Sequence, residues 1–313
     1  MKKFLAVFLV GMVIVLGFGT YAKLASMVEA GEKPDISPHH PVEEALADEG
    51  GSPESPEPSS EAGTDTPEHN IEDEKSKDTP PKKADNTEGE KTEVISLAEL
   101  YKEYEDIVFF KGHPDDKRVA LTFDDGPDEV ACERILAILR EHNVPATFFL
   151  VGENVVKYPE VVKNIFAEGH VIGSHSWSHH YMDEMSWGSI EREIHDTENA
   201  IHGLIGKDVA LFRPPYGKLN RAALEFLGQD GYKVINWSSD SLDWKYPKNG
   251  NRIVSNTMRD AGDGAIMLFH SLAGPSKITS GIEAALPRII SSLRSQGYEF
   301  VTVDQLLSIP AYK

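Results

Sequence analysis

Two adjacent carboxylates, Asp124 and Asp125, lie within the run Thr122-Phe123-Asp124-Asp125-Gly126-Pro127. Like charges side by side raise one another's pKa unless a cation is near, so the pair either marks a polar turn, for which Gly126 and Pro127 are suited, or awaits positive charge. His175 and His179 stand four residues apart, so on a helical turn both imidazoles face one way and can share an ion. Two histidines alone are weak grounds for a metal. With one aspartate added, they form a ligand set that leaves coordination positions open for water and a substrate. Further polar runs stand at Arg213-Pro214-Pro215-Tyr216-Gly217 and Asp240-Ser241-Leu242-Asp243-Trp244, and His270 ends an apolar stretch.

Residues this far apart in sequence meet only if regular elements carry them to one place. From about Val94 the aromatic residues return, and short β-rich runs alternate with longer amphipathic ones, which is the pattern of β/α units. The runs predict strands near 118–123, 146–151, 170–173, 210–213, 233–237, 265–269 and 299–303. About seven strands imply an α/β architecture, one closed or nearly closed barrel, with its chemistry in the loops after the carboxyl ends of the strands. The polar runs above fall there. Helical periodicity is clearest over 129–141, where Cys132, Ile135, Leu136 and Leu139 recur at spacings of three and four. That places the chain's one cysteine in the core, and a single thiol supplies neither an internal disulfide nor the repeated ligands of a zinc finger. Residues 186–204 and 281–296 read as helices too, with Pro287 in a first turn or at a kink.

The 313 residues are 40% hydrophobic and 26% charged, a balance that excludes a wholly disordered or fibrous chain. The net charge of −20 argues against a nucleic-acid partner, which calls for a basic face. Much of the acidity sits in 31–93, with 19 acidic against 6 basic residues, nine of the 19 prolines and no aromatic residue. Such a segment lacks the apolar area to offset ordering entropy and reads as a disordered acidic linker. Its His39, His40 and His69 read as solvated residues. Before it, Lys2 and Lys3 precede an apolar run over 4–19, the form of an export signal. Thr20-Tyr21-Ala22 resembles a cleavage site, yet the run is near the ~20 residues that span a bilayer. Residues 1–30 are therefore a signal peptide or a membrane anchor, residues 31–93 a linker and residues 94–313 a folded domain.

The segments 122–126, 175–179, 213–217, 240–244 and 268–270 resemble, in order and type, the five motifs of NodB-like polysaccharide deacetylases, carbohydrate esterase family four. The resemblance covers roughly residues 115–307. It implies a distorted (β/α) barrel that removes acetyl groups from N-acetylated sugars with one divalent metal ion, zinc or another such as cobalt. It further implies Asp125, His175 and His179 as metal ligands, Asp124 as general base and Arg213 as the group orienting it. The Tyr216 N–H, beside Pro215, would hold the oxyanion; His270 would be the general acid, Asp243 would tune it and Trp244 would line the pocket. Asp240 could play Asp243's part, although Asp243 stands directly before Trp244 as the family pattern has it. Position 271 departs from the pattern: it is serine where relatives often carry an acidic residue, which puts the support of His270 in question. Of the other histidines, His113, His142, His170, His195 and His202 read as surface or core, and His180 is the single candidate for a substrate contact.

Amide hydrolysis asks for these parts on its own account. A divalent ion makes water a usable nucleophile near neutral pH, a base takes its proton, donors stabilise the oxyanion, and an acid must protonate the poor amine leaving group. The export signal and linker suggest a polymer outside the membrane, first of all the N-acetylglucosamine of peptidoglycan. A secreted chitin or xylan deacetylase is the alternative within enzymes, and a catalytically silent glycan-binding wall protein the alternative outside them. The expected partners are an N-acetylated polysaccharide and, through the N-terminal segment only, a membrane; the domain is expected to be monomeric.

Overall fold

The computed structural model describes residues 96–273 and 278–313. The signal or anchor over 1–30 and the linker over 31–93 lie outside the described residues. Strands of a parallel sheet are buried on both faces and so read as nearly continuous apolar runs. Strand β2 (Arg118–Asp124) is such a run, buried at every position but its first. β3 (Thr147–Leu150), β4 (Val171–Ser174) and β8 (Ile266–His270) follow the same rule, as do the shorter β5 (Leu211–Phe212) and β6 (Lys233–Ile235). With β1 (Val108–Phe109), β7 (Ser239–Asp240) and β9 (Glu299–Phe300), they form one sheet in the order β1-β6-β5-β4-β3-β2-β8-β7, with β9 added beside β2. Every pairing between these strands is parallel.

The described residues thus hold nine strands where about seven were expected. β1 and β7 are two residues long, too short to show any periodicity. The hydrogen-bonded path is open between β1 and β7; an antiparallel bridge from Lys111 to Ala265 joins the two sides. The run expected as a strand over 299–303 is strand only at Glu299–Phe300. There Gln305 Oε1 accepts the Thr302 N–H at 3.3 Å, and the chain turns into a helix, Val303–Leu307.

Alternation along the strands divides the core into two layers. Ala120, Phe149, Leu211, Ile235 and Ile266 pack together with Val301, Val303 and Leu306 inside the curved sheet, while Leu121, Phe123, Phe148 and Phe269 face the helices. The 129–141 periodicity is realised as the helix Ala131–His142, which buries Cys132, Ile135, Leu136 and Leu139 and ends on left-handed Asn143. The helix Trp187–Ile205 ends on Gly206 at φ 66, a conformation glycine adopts without strain. Pro287 lies in the middle of the helix Ser280–Ser295, neither in its first turn nor ending it. The lost backbone hydrogen bond is outweighed by a buried face of Ile282, Ala285, Leu286, Ile289, Ile290 and Leu293. No helix among the described residues is long and apolar enough to cross a membrane.

Candidate active site

The register of β2 on β8 pairs Asp124 with His270, so the last residues of two neighbouring strands stand side by side at one end of the barrel. Asp124 shares the inward phase of Ala120 and is buried. There it meets Arg213, which follows β5 and is itself fully buried. Arg213 Nη1 donates to Asp124 Oδ1 at 2.8 Å and to Thr122 Oγ1 at 2.7 Å; Nε donates to Ile235 O at 2.9 Å and Nη2 to Asn236 O at 3.1 Å. The guanidinium lies 4.2 Å from the Phe149 ring centroid. A buried charge this thoroughly bonded has one orientation, and it fixes Asp124 through one oxygen while leaving the other, Oδ2, free of the arginine.

Asp125 and the two histidines converge, but not by the helical turn that their spacing suggested. Residues 175–179 form an irregular loop in which Ser176 and His179 take φ values of 64 and 58. His175 Nδ1 lies 2.7 Å from Arg213 O; as the donor it leaves the Nε2 lone pair directed into the site. Asp125 Oδ1 is 3.5 Å from His175 Nε2 and 3.3 Å from His179 Nε2. Two donors each about 2.1 Å from one tetrahedral ion stand roughly 3.4 Å apart, so these spacings suit a shared cation. Asp125 Oδ1 is also buried without a hydrogen-bond partner, a costly state for a carboxylate oxygen unless a positive charge completes it. Burial opposes the Asp125 charge, but His179, His175 and His270 outweigh it and hold the carboxyl well below its usual range. Burial likewise disfavours charge on His175, where Asp124 and Asp125 prevail and raise its pKa, and on His179, where burial prevails and lowers it. A second such grouping, His195 with Glu198 and Asp230, already holds the protein's own cation, for Lys313 Nζ lies 2.9 Å from both carboxylates.

At the same strand ends, Asp243 holds His270 twice: Oδ1 is 2.7 Å from Nδ1, and Oδ2 accepts the His270 N–H at 2.8 Å. Burial works against the imidazolium, but the Asp243 carboxylate dominates and the His270 pKa is raised to about 10. Asp240, the other candidate for this place, accepts the Leu242 N–H instead, and burial raises its pKa. Ser271 is fully buried; its N–H and Oγ both donate to Asp124 O. The residue after His270 therefore ties β8 to β2, and the support of the histidine comes from Asp243. Trp244 stands 44% exposed beside this pair. Tyr216, at φ 58 just after buried Pro215, stacks on Tyr181 at 4.0 Å and sets its ring 4.9 Å from that of His179. His180 bonds through Nδ1 to Ser178 Oγ, two residues along the same loop.

Other residues that shape the site carried little sequence signal. Asp128 Oδ1 accepts the N–H groups of Val130 and Ala131, and its Oδ2 accepts the Ala273 N–H, which ties the loop after β2 to the loop after β8. An aspartate just ahead of a helical run is the one clue, as a capping residue. Asn154 Nδ2 donates to Asp125 O at 2.8 Å, and Glu193 grips the 175–179 loop; neither could be picked out from spacing.

Among known proteins, the Polysaccharide deacetylase family matches residues 111–235. The peptidoglycan-N-acetylglucosamine deacetylase PgdA of Listeria monocytogenes is 40% identical over 190 residues; the match takes in 61% of this chain and 39% of that protein, well under half of its length. A peptidoglycan-N-acetylglucosamine deacetylase of Bacillus cereus is 38% identical over 197 residues, 63% of this chain and 70% of the relative. A crystal structure of a peptidoglycan N-acetylglucosamine deacetylase in complex with 4-naphthalen-1-yl-N-oxidanyl-benzamide superposes with a TM-score of 0.66 at 35% identity, covering 68% of this chain and 99% of that one. Sequence, fold and the strand-end constellation agree, and the chain belongs to the polysaccharide deacetylase family.

Proposed function

We propose that this protein is a metal-dependent hydrolase that removes N-acetyl groups from a cell-surface polysaccharide, the N-acetylglucosamine of peptidoglycan before others. The observation that carries the reading is the orphaned Asp125 Oδ1, facing the Nε2 atoms of His175 and His179 at 3.5 and 3.3 Å, with Asp124 and His270 paired at the neighbouring strand ends. Asp125, His175 and His179 would hold one divalent ion, zinc in the first instance. Bound there, the ion supplies Lewis acidity, the property that activates water and polarises an acetyl carbonyl near neutral pH. The N-hydroxyamide group of the compound in the solved relative is a chelating group, which fits such a centre.

The chain's own residues supply the proton chemistry. Asp124, held by Arg213 through Oδ1, presents Oδ2 at 3.7 Å from His175 Nε2 and accepts the proton of the attacking water. The new C–O bond forms as the carbonyl oxygen gains charge, for which the Tyr216 N–H is the backbone donor. His270, with a pKa of about 10, carries a proton at neutral pH and delivers it to the amide nitrogen as the C–N bond breaks, so that acetate and a free amine leave. Asp243 keeps that proton in place, and Pro215 and Trp244 shape the walls around the acetyl group. The names of the relatives favour peptidoglycan over chitin or xylan. The N-terminal signal or anchor and the acidic linker would deliver the domain to that polymer outside the membrane.

Acetate release from purified cell wall and from chitooligosaccharides tests the substrate: turnover on chitin fragments alone overturns the peptidoglycan reading. Asp124→Asn and His175→Ala test the enzyme. Both variants should lose turnover with the fold intact, and a wild type without turnover that still binds glycan would leave only a binding protein.

A further inference from the structure

The loop that carries His175 and His179 is gripped from two sides. Its carbonyls point to the helix Gly152–Lys157, whose first N–H groups donate to it: Gly152 N to Ser176 O at 3.0 Å and Glu153 N to Trp177 O at 3.1 Å. Its N–H groups point the other way, to one carboxylate on the helix Trp187–Ile205. Glu193 Oε2 accepts the N–H of Trp177 at 2.8 Å and that of Ser178 at 2.9 Å, and Oε1 accepts the Ser178 hydroxyl at 2.6 Å. All three donors lie in the two-residue stretch midway between the histidines. Three donors converge on one anion, and none of them is part of a helix or strand.

The loop needs such an anchor. Ser176 and His179 both sit in the left-handed region, which non-glycine residues enter only when their surroundings enforce it. Packing fixes the loop's other face. A Cβ on Gly152 would come within 2.4 Å of the Trp177 ring and 2.7 Å of Thr197 Oγ1, so the indole seats on a position only glycine can fill. Without the carboxylate, two N–H groups and a hydroxyl would be left to water, and the segment would be free to relax toward commoner backbone angles. His179 would move first, since within the loop it is tied by its own N–H to Ser176 Oγ at 3.1 Å, whereas His175 is also pinned by Arg213 O.

We infer that Glu193 is a positioning residue for the metal centre: it touches neither ion nor substrate, and it presets the 175–179 loop so that His179 Nε2 and His175 Nε2 face Asp125 together before any ion arrives. The inference rests on the reading of Asp125, His175 and His179 as ligands. Groups that orient metal ligands from behind typically alter metal affinity or activity by about 10- to 100-fold when removed. Glu193 should act through affinity, because its contacts set the cost of assembling the site.

The test is a Zn²⁺ titration of the full chain against a chromophoric chelator, for wild type, Glu193→Gln, Glu193→Ala and His175→Ala, with the melting temperature of each metal-stripped protein measured alongside. The wild type should bind one equivalent tightly and His175→Ala should not; a wild type that takes up no Zn²⁺ overturns the ligand reading itself. With that reading standing, Glu193→Ala should weaken Zn²⁺ binding by about 10- to 100-fold while the stripped protein still melts cooperatively. Glu193→Gln, whose amide oxygen can still accept the two backbone N–H groups, should fall between it and the wild type, and it decides the matter if the alanine variant does not fold. Wild-type affinity in Glu193→Gln and Glu193→Ala, or in Glu193→Gln alone where the alanine variant is lost, overturns the inference. So does an affinity loss that merely tracks a lowered melting temperature across the variants.

Discussion

Replacing Asp243 by asparagine should move the alkaline limit of activity by about two to three pH units without removing the metal. Asp243 Oδ1 lies 2.7 Å from His270 Nδ1, which puts the centres of the two charges roughly 4 Å apart; at an effective dielectric of ~20 such a pair is worth about 4 kcal/mol, or ~3 pKa units. The elevation of His270 from 6.5 to about 10 stands against a burial that favours the neutral ring; Asp243 is the largest raising influence, with Asp125 and Asp124 adding to it. The asparagine oxygen can still accept from Nδ1–H, which keeps the ring oriented, while its NH2 group cannot accept the His270 backbone N–H that Oδ2 held, so that hydrogen bond is lost together with the charge. If protonated His270 is the acid, activity holds while the proton stays and falls as pH rises through its pKa. The falling limb should therefore shift to lower pH in the variant, and acetate release at pH 8 should drop far more than at pH 6. Linkage gives a second readout on the metal-stripped protein. A pKa raised by folding stabilises the fold fully below about pH 6.5 and ceases to do so as pH climbs through about 10. Wild type and variant should then differ most in melting temperature on the acid side of this window and converge on the alkaline side. A pH–rate profile unmoved in Asp243→Asn, with metal content unchanged by elemental analysis, would refute the assignment of His270 as the acid tuned by this carboxylate.

Chelation should abolish acetate release, and readdition of Zn²⁺ or Co²⁺ should restore it; activity indifferent to a chelator contradicts a catalytic ion. Arg213→Met should destabilise the domain by about 3 to 5 kcal/mol, the scale for stripping one partner from a buried ion pair, and so lower the melting temperature by roughly 6 to 20 °C. Calorimetry of the stripped protein checks it, and a loss within a degree or two would show that Asp124 does not depend on the arginine.

The parts of this fold that could be read in advance are those with a period or a run. β2, β3 and β8 were legible because parallel strands buried on both faces need unbroken apolar sequence, and Cys132, Ile135, Leu136 and Leu139 betrayed their helix by spacing. The polar residues just past those strands were legible for the same reason, since a barrel puts them at one mouth. β1 and β7, like β5 and β9, are two residues long and carry no period, so the sequence pattern does not fix the number of strands. The route by which His175 and His179 meet was also hidden. Four-residue spacing suggests a helical turn, and only the left-handed Ser176 and His179, held by partners distant in sequence, bring the imidazoles together otherwise. Glu193 shows the same limit: its sequence neighbours mark it as one polar residue on an amphipathic helix, and its role depends on a loop some fifteen residues upstream.

The adjacency of Asp124 and Asp125 sets a geometric problem that the backbone solves. Successive side chains on a strand point to opposite faces, so a regular β2 extended by one residue would send one carboxylate into the barrel and the other out among the helices. Here β2 stops at Asp124, which keeps the inward phase and finds Arg213. Asp125 then takes φ 71, the left-handed region that aspartate tolerates better than bulkier residues, and this reversal brings its carboxylate back to the same mouth. The turn is fixed from outside, as Asn154 Nδ2 donates to Asp125 O and Val151 N–H donates to Gly126 O. The same device recurs at Ser176, His179, Tyr216 and Leu242, each non-glycine, each at positive φ and each in a loop at this mouth. At on the order of 1 to 3 kcal/mol per strained residue, these loops together forgo several kcal/mol of local stability. The layered core below them must offset that cost, and a site built this way is rigid in the sense its chemistry needs: two carboxylates one residue apart face one centre but answer to different partners, one to an arginine and the other to a pair of histidines.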